Sequence, residues 1–385
     1  MKIVQITARF FPHLGGVESY VYDLSRKLVE NGHDVTVYTS DWPAIRQEHL
    51  PRFSTFGKIN VVRFRSVQVL PGLPPTLVFP SLVNTLLKDR ETDVIHVHNY
   101  GYFPAYSASF GRLINGIPLI LSAHTTSKVS VGIFARRFYN KTLGKMTVKM
   151  ADHIICSTED EKDYLISVGA DPLRTSIIPN GVDVERFTVG STSFSFRKKF
   201  DVSGKIVLAV GRLSKEKGLD YLLKAASKVK NDMPKTRVNF VLVGPDYGVE
   251  AKLSSQAQSL GIEGNVLFVG PLRDAELTSA YLESDVYVLP SLFESFGMTL
   301  LEAMAAGKPI VASRYSAAPD LLRNGAKGYM INPYRPEEMA KALETLLTDS
   351  QLADRMGRIN RSIVTQYSWN HIAEKIEKVY DAVGR

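Results

Sequence analysis

The chain opens with a short apolar strand, a glycine-bearing loop and an amphipathic helix, and the same series starts again from residue 205. Lys2-Ile3-Val4 begins the first series and Lys205-Ile206-Val207 the second. In the first, the segments Ile3–Ile6, Asp34–Tyr38, Val61–Phe64, Val94–Val97, Leu119–Ser122 and His153–Cys156 read as strands. In the second, Ile206–Val210, Asn239–Val243, Val266–Val269, Val286–Leu289 and Pro309–Ala312 do so. Helices are expected at 17–30, 218–228, 250–260, 274–283, 298–306 and 336–348. In the earliest of them Val17, Tyr20, Val21, Leu24 and Leu28 recur at spacings of three and four, which makes one apolar face. Strands alternating with helices cannot pair as hairpins. They form parallel sheets covered by helices on both faces. The expectation is therefore an α/β chain of two Rossmann-like, doubly wound domains.

A length of 385 residues suits two such domains. The turn Ile178-Pro179-Asn180-Gly181-Val182-Asp183 and the polar stretch that follows it mark the joint. That puts one domain at 1–187 and the other at 188–366. A last helix, Trp369–Val383, has Ile372, Ile376, Val379 and Tyr380 on one face and should pack onto existing structure.

The single cysteine, Cys156, excludes an intrachain disulfide. The N-terminus reads as a strand, and no apolar run approaches the ~18 residues of a membrane span. A cytoplasmic protein is expected. Net charge is +8, which favours anionic partners. Six cations (Lys128, Arg136, Arg137, Lys141, Lys145, Lys149) and no acid lie between Thr125 and Ala151. Zinc-finger spacing, RNA-binding sheet motifs and basic tails are missing, so nucleic acid is a poor partner.

Three strand-to-helix turns carry candidate chemistry. Gly15-Gly16 follows the first strand; glycine allows close backbone approach and positive φ, although a plain tight turn explains it equally well. The segment Gly211-Arg212-Leu213-Ser214-Lys215-Glu216-Lys217-Gly218 stands at the matching place in the second half. Arg212 can grip a phosphate bidentately and Lys217 adds a point charge. The third turn is Glu294-Ser295-Phe296-Gly297-Met298, followed by Glu302. Its helix N-terminus suits an anion, and its carboxylates suit sugar or ribose hydroxyls. His96 and His98 alternate on a strand end and His124 ends another strand. A metal would need a third ligand, which is not evident, so His96 and His98 read as core residues and His124 as the site candidate. Neither a P-loop nor a G-x-S-x-G elbow nor an Asp-x-Asp pair is present.

In this order the pieces resemble the family 4 retaining glycosyltransferases of GT-B fold. The resemblance spans nearly the whole chain and extends to Tyr367-Ser368-Trp369 before the last helix. It implies a nucleotide sugar bound in a cleft between two domains, with residues 367–385 returning to the first. Gly16, beside Gly15, would set its amide near the diphosphate, which Arg212 and Lys217 would neutralise. Glu302 would hold the ribose. Glu294, with amides near Phe296, Gly297 and Met298, would hold sugar and phosphate. His124 would contact the sugar, and the loop 270–273, with Leu272, would lie against the base. The proposed same-face mechanism needs neither a covalent nucleophile nor a metal. Where many members carry a glycine-rich turn ending in Glu, this chain has Ser316-Ala317-Ala318-Pro319-Asp320.

The donor would be a UDP- or GDP-sugar and the acceptor a saccharide or a lipid-linked molecule. The basic segment 128–149 interleaves its cations with apolar residues, either as a face for an anionic membrane or as a half-buried helix pair. Two rival functions share the fold: a nucleotide-sugar 2-epimerase and a non-catalytic nucleotide-binding protein.

Overall fold

The computed structural model describes residues 1–13, 15–42, 49–69, 77–125, 139–188, 190 and 192–384. They form two compact units, Met1–Gly181 with Trp369–Arg385, and Val182–Ser368.

The first unit is built on an eight-stranded sheet. Its strands are β1 (Lys2–Ile6), β2 (Asp34–Ser40), β3 (Phe53–Phe56), β4 (Ile59–Phe64), β7 (Val94–His98), β8 (Leu119–Ser122), β9 (His153–Cys156) and β10 (Thr175–Ile177); β5 (Val67–Gln68) and β6 (Leu77–Val78) form a separate ribbon. The order is β10-β9-β8-β7-β1-β2-β4-β3, parallel except for the β3–β4 pair at one edge. Ile3 pairs with Val35 on one side and Val94 on the other, so β1 is central and its residues from Ile3 to Ile6 are buried. Chain direction reverses its lateral march at β1: β2 and β4 build outward one way, β7 to β10 the other. The loops after β1 and β7 therefore flank the crevice where such sheets bind ligands.

The second unit repeats this plan with six parallel strands: β11 (Lys205–Val210), β12 (Val238–Val243), β13 (Val266–Gly270), β14 (Val286–Leu289), β15 (Ile310–Ser313) and β16 (Gly328–Ile331). The order β13-β12-β11-β14-β15-β16 puts its switch point between β11 and β14. Val and Ile dominate these strands, and β12 is buried along its whole length, as a central strand covered on both faces must be.

The expected elements recur with ends shifted by a few residues at most. Helices at Phe103–Asn115, Glu159–Val168 and Ser350–Val364, and the edge strands β3, β10 and β16, had no sequence expectation. The unit boundary falls at Gly181/Val182, six residues before the expected joint at 187/188. Packing explains the shift. Phe187 is 1% exposed and meets Tyr281 edge-on, with centroids 5.4 Å apart. The Val182 N–H donates to the Tyr367 carbonyl at 2.9 Å. Gly181 owes its identity to packing as much as to a turn. A Cβ there would stand 2.4 Å from the Trp369 ring.

The last helix, Trp369–Val383, buries Trp369, Ile372, Ala373, Ile376 and Tyr380 in the first unit, beside the helix Gly16–Glu30. Glu377 fastens it by accepting from Asn31 and bonding His33 Nε2, each at 2.9 Å.

Candidate functional site

In the second unit the two turns singled out by sequence follow β11 and β14, the strands that flank the switch point. Topology thus places Arg212–Gly218 beside Pro290–Gly297, about 80 residues later in the chain. Gly211, Arg212, Lys217, Pro290 and Ser291 line one small crevice there. Gly218 is required: its φ is +63°, and a Cβ would lie 2.3 Å from the Pro290 carbonyl oxygen. The close contact of the two turns exists only because that side chain is missing.

Lys217 and Glu294, given separate roles by the sequence reading, are hydrogen-bonded ion partners, with side chains 15% and 18% exposed. Arg212 reaches into solvent, 3.6 Å from Glu216, with its guanidinium 5.3 Å above the Tyr247 ring. A planar cation held on an aromatic face keeps its donor edge available.

Gly297, at φ +87°, caps the helix Met298–Ala305, whose first-turn N–H groups lack intrahelical acceptors. Phe296 is 3% exposed and belongs to the core, so its ring is not open to a ligand. Its carbonyl accepts from the Ala317 N–H at 3.1 Å, which ties the Ser316–Asp320 turn to this loop. Glu302 is half-buried and accepts from the Tyr281 hydroxyl at 2.6 Å; burial raises its carboxyl above the usual range. Leu272, in the loop after β13, packs partly against the core.

In the first unit, Gly15 and Gly16 lie at the start of the helix Gly16–Glu30. The expected positive φ does not occur: Gly15 is extended (φ −175°) and Gly16 is helical. A Cβ at Gly16 would meet nothing within 4 Å, whereas one at Gly15 would collide with the Glu18 carboxylate. His124 stands just past β8 at φ +46°, partly exposed. The next amide, Thr125 N–H, donates to Glu161 at 2.6 Å. Glu161 also accepts from the Ser157 N–H (2.6 Å) and hydroxyl (2.8 Å). Burial pushes its carboxyl up to about 7 against the pull of those three donors.

His96 and His98 are fully buried, as core residues. Their partners are specific: His96 bonds Tyr380 Oη and Ser122 Oγ, and His98 bonds Gln5 Oε1 and His124 Nε2. Sequence reasoning missed Gln5 and Glu161, and read Tyr380 only as a packing residue of the last helix. A glutamine inside the apolar strand Ile3–Ile6 was a usable sign of a buried partner. Thr158-x-x-Glu161 before a helix was another, since it has the form of a capping box.

Of the basic segment, Lys128, Arg136 and Arg137 lie outside the described residues, while Lys141, Lys145 and Lys149 are exposed. Among the described residues no helix is long and apolar enough to cross a membrane.

Residues 14–186 match the family model described as Glycosyltransferase Family 4, and residues 191–363 that of Glycosyl transferases group 1. The chain is 30% identical over 388 residues to the D-inositol 3-phosphate glycosyltransferase of Geodermatophilus obscurus, covering 96% of this chain and 85% of the relative. It is 28% identical to the enzyme of that name from Corynebacterium diphtheriae, covering 95% and 89%. Among solved structures, sucrose-phosphate synthase from Thermosynechococcus elongatus superposes with a TM-score of 0.79 at 22% identity, covering 99% of this chain and 98% of that one. Anabaena Alr3699/HepE in complex with UDP superposes at 0.77 and 22%, covering 99% and 100%.

Proposed function

The chain belongs to glycosyltransferase family 4 and has the GT-B fold, and from that premise we propose that it moves a sugar from a nucleotide-diphosphate donor with retention of anomeric configuration. The observation that carries this reading is the cationic pair Arg212 and Lys217 at the switch point of the second unit, on a turn that only glycine lets touch the Pro290–Gly297 turn.

Breaking the bond between the anomeric carbon and the donor phosphate sends its electron pair to the leaving diphosphate and builds oxocarbenium character on the sugar. Fixed cations and the helix start at Gly297–Met298 stabilise that leaving group, the task a divalent metal performs elsewhere. Lys217 shares its charge with Glu294, so the diphosphate competes for the ammonium while Glu294 turns to sugar hydroxyls. Glu302 is the partner for the ribose, Leu272 for the base and His124 for a sugar hydroxyl. The Gly16 amide serves the diphosphate. The acceptor oxygen attacks the face the leaving group departs from, and its proton passes to a phosphate oxygen.

We take a UDP-sugar as the first donor to test, because Alr3699/HepE is known with UDP and with UDP-glucose. The relatives act on an inositol phosphate, and a phosphorylated polyol, free or lipid-borne, is the acceptor class proposed here. A lipid-borne acceptor agrees with one surface of the first unit. Phe110, Leu113, Ile114 and Leu143 are 44%, 65%, 61% and 42% exposed, on elements that also carry the exposed Lys141 and Lys145 or pack against them. On this reading the enzyme works in the cytoplasm, at the inner face of the membrane.

A donor panel of UDP-, GDP- and ADP-sugars tests the reaction. The expected result is slow release of nucleoside diphosphate from one donor, accelerated by inositol phosphate. A sugar returned still attached but inverted at another carbon would make the protein an epimerase. Flotation with anionic vesicles at low salt tests the surface: no binding, or binding unchanged by Leu113→Asp with Ile114→Asp, removes the membrane from the reading.

A further inference from the structure

The first unit holds a continuous chain of hydrogen bonds from the last helix to His124. Tyr380 Oη lies 3.1 Å from Gln5 Nε2 and 2.7 Å from His96 Nδ1. Gln5 Oε1 lies 2.6 Å from His98 Nε2, and His98 Nδ1 lies 3.2 Å from His124 Nε2. His96 Nε2 closes the other branch on Ser122 Oγ at 2.7 Å. Gln5, His96, His98 and Tyr380 are all 0% exposed. Tyr20, also buried, packs edge-on against His98, His124 and Trp369, with centroids 5.7, 4.8 and 5.4 Å away.

The polarity of this chain is set by Gln5, whose amide nitrogen faces Tyr380 and whose oxygen faces His98, together with the inventory of donors and acceptors. A side-chain amide donates from nitrogen and accepts at oxygen. Gln5 therefore donates to Tyr380 and accepts from His98 Nε2–H. A neutral imidazole carries one N–H, so His98 Nδ1 is bare and accepts. His124 must then carry its proton on Nε2, which leaves its Nδ1 as a lone pair. On the other branch Tyr380 donates to His96 Nδ1, and His96 Nε2–H donates to Ser122. Every step is satisfied once. Reversing Gln5 would reverse every step and turn the open nitrogen of His124 from acceptor into donor.

We infer that Tyr380 of the last helix, acting through Gln5 and His98, fixes the tautomer of His124 so that its Nδ1 accepts a hydrogen bond from a donor-sugar hydroxyl. Tyr380, Gln5 and His98 are positioning residues, and the inference rests on the reading of His124 as a sugar contact. Burial holds all three imidazoles neutral, with His96 down to about 3 and His124 down to about 4. A return of the chain's last helix to its first sheet thereby gains a chemical purpose besides packing: it sets hydrogen-bond polarity at a site residue.

The test needs no substrate at first. In protein labelled with 15N-histidine, long-range imidazole spectra at pH 7 report which ring nitrogen carries the proton. His124 and His98 are assigned by single replacement. The expected state is one tautomer for each, protonated at Nε2. A proton on His124 Nδ1, or a charged ring, overturns the relay whatever the kinetics show. Tyr380→Phe deletes one hydroxyl and keeps the ring, so folding should survive. It should give mixed tautomers at His98 and His124 and lower kcat with UDP-glucose, or whichever panel donor is hydrolysed, by about tenfold, the scale of one hydrogen bond. Unchanged spectra in Tyr380→Phe also overturn the relay. If the spectra are as expected but His124→Ala leaves donor turnover intact, the sugar-contact reading fails alone. Gln5→Leu is the second variant, with the same expected loss of a single tautomer.

Discussion

The two units share one scaffold, with strand order running outward both ways from a first strand, yet they handle polar groups in opposite manners. In the first unit the distinctive polar residues are inside. Gln5, His96, His98 and Tyr380 are fully buried, neutral and joined in one chain of hydrogen bonds. In the second unit they sit at the ends of the strands: Arg212 is half exposed, and the Lys217–Glu294 ion pair stands at the crevice. Buried charge is costly and buried neutral networks are not, provided every member is satisfied. A network of neutral groups can set the direction of a hydrogen bond with precision. It cannot offset two negative charges. The same sheet architecture therefore supplies orientation in one unit and charge in the other.

The sharpest break of this comparison is Lys217→Ala. If the second unit supplies charge, donor kcat/KM should fall by about 10²–10³, the scale of removing one preorganised partner of a developing anion. Steady-state kinetics with the hydrolysed donor measure it, and unchanged donor affinity and turnover would overturn the phosphate assignment. Arg212→Lys keeps the charge and loses the fork, so a smaller loss of about tenfold is expected.

Next in size is Gly218→Val. A side chain forced to φ +63° and against the Pro290 carbonyl should destabilise the second unit by at least about 2 kcal/mol. Urea unfolding followed by far-UV circular dichroism should show the second unit's transition move, while tryptophan fluorescence stays put. That separation is available because both tryptophans, Trp42 and Trp369, belong to the first unit.

Acid should distinguish the units as well. The folded first unit keeps His96 and His124 neutral down to about 3 and about 4, whereas an unfolded histidine takes up its proton near ~6.5. Folded values below unfolded ones mean stability is fully present above about 6.5 and is lost as pH falls toward 4. Glu161 opposes this, because its carboxyl is raised to about 7 and costs stability as pH rises through 4.5 to 7. His13, His98 and His153 are also lowered by burial, and five histidines against one glutamate leave a net loss on acidification. Tryptophan-monitored unfolding should weaken between pH 6.5 and 4.5, and Glu161→Gln should steepen that loss by removing the opposing group.

The smallest effect is Tyr281→Phe. It removes the donor to Glu302 and should cost the second unit about 1 kcal/mol, read as a shift in its urea midpoint.

Much of this molecule was legible along the chain. Apolar periodicity placed the strands and helices of both sheets, because burial on two faces leaves a pattern in neighbouring residues. Arg212, Lys217, Gly218 and Glu294 were readable because each sits in a short turn directly after an apolar strand. The loops after β11 and β14 could be identified as adjacent only once strand order was known, and the ion pair Lys217–Glu294 followed from that adjacency. Phe296 shows the limit of a motif: its letter stood inside the motif, but its ring went to the core.

The boundary at Gly181 and the tie from Tyr380 to Gln5, 375 residues apart, were decided by tertiary structure alone. Local sequence encodes what a residue's neighbours can bury. Which distant hydroxyl will meet a buried amide depends on where the last helix packs, and that is settled by the whole surface of the first unit. Sequence by itself determined two parallel sheets and the turns that bear charge. Packing of the chain's end on its beginning decided which nitrogen of His124 holds a proton.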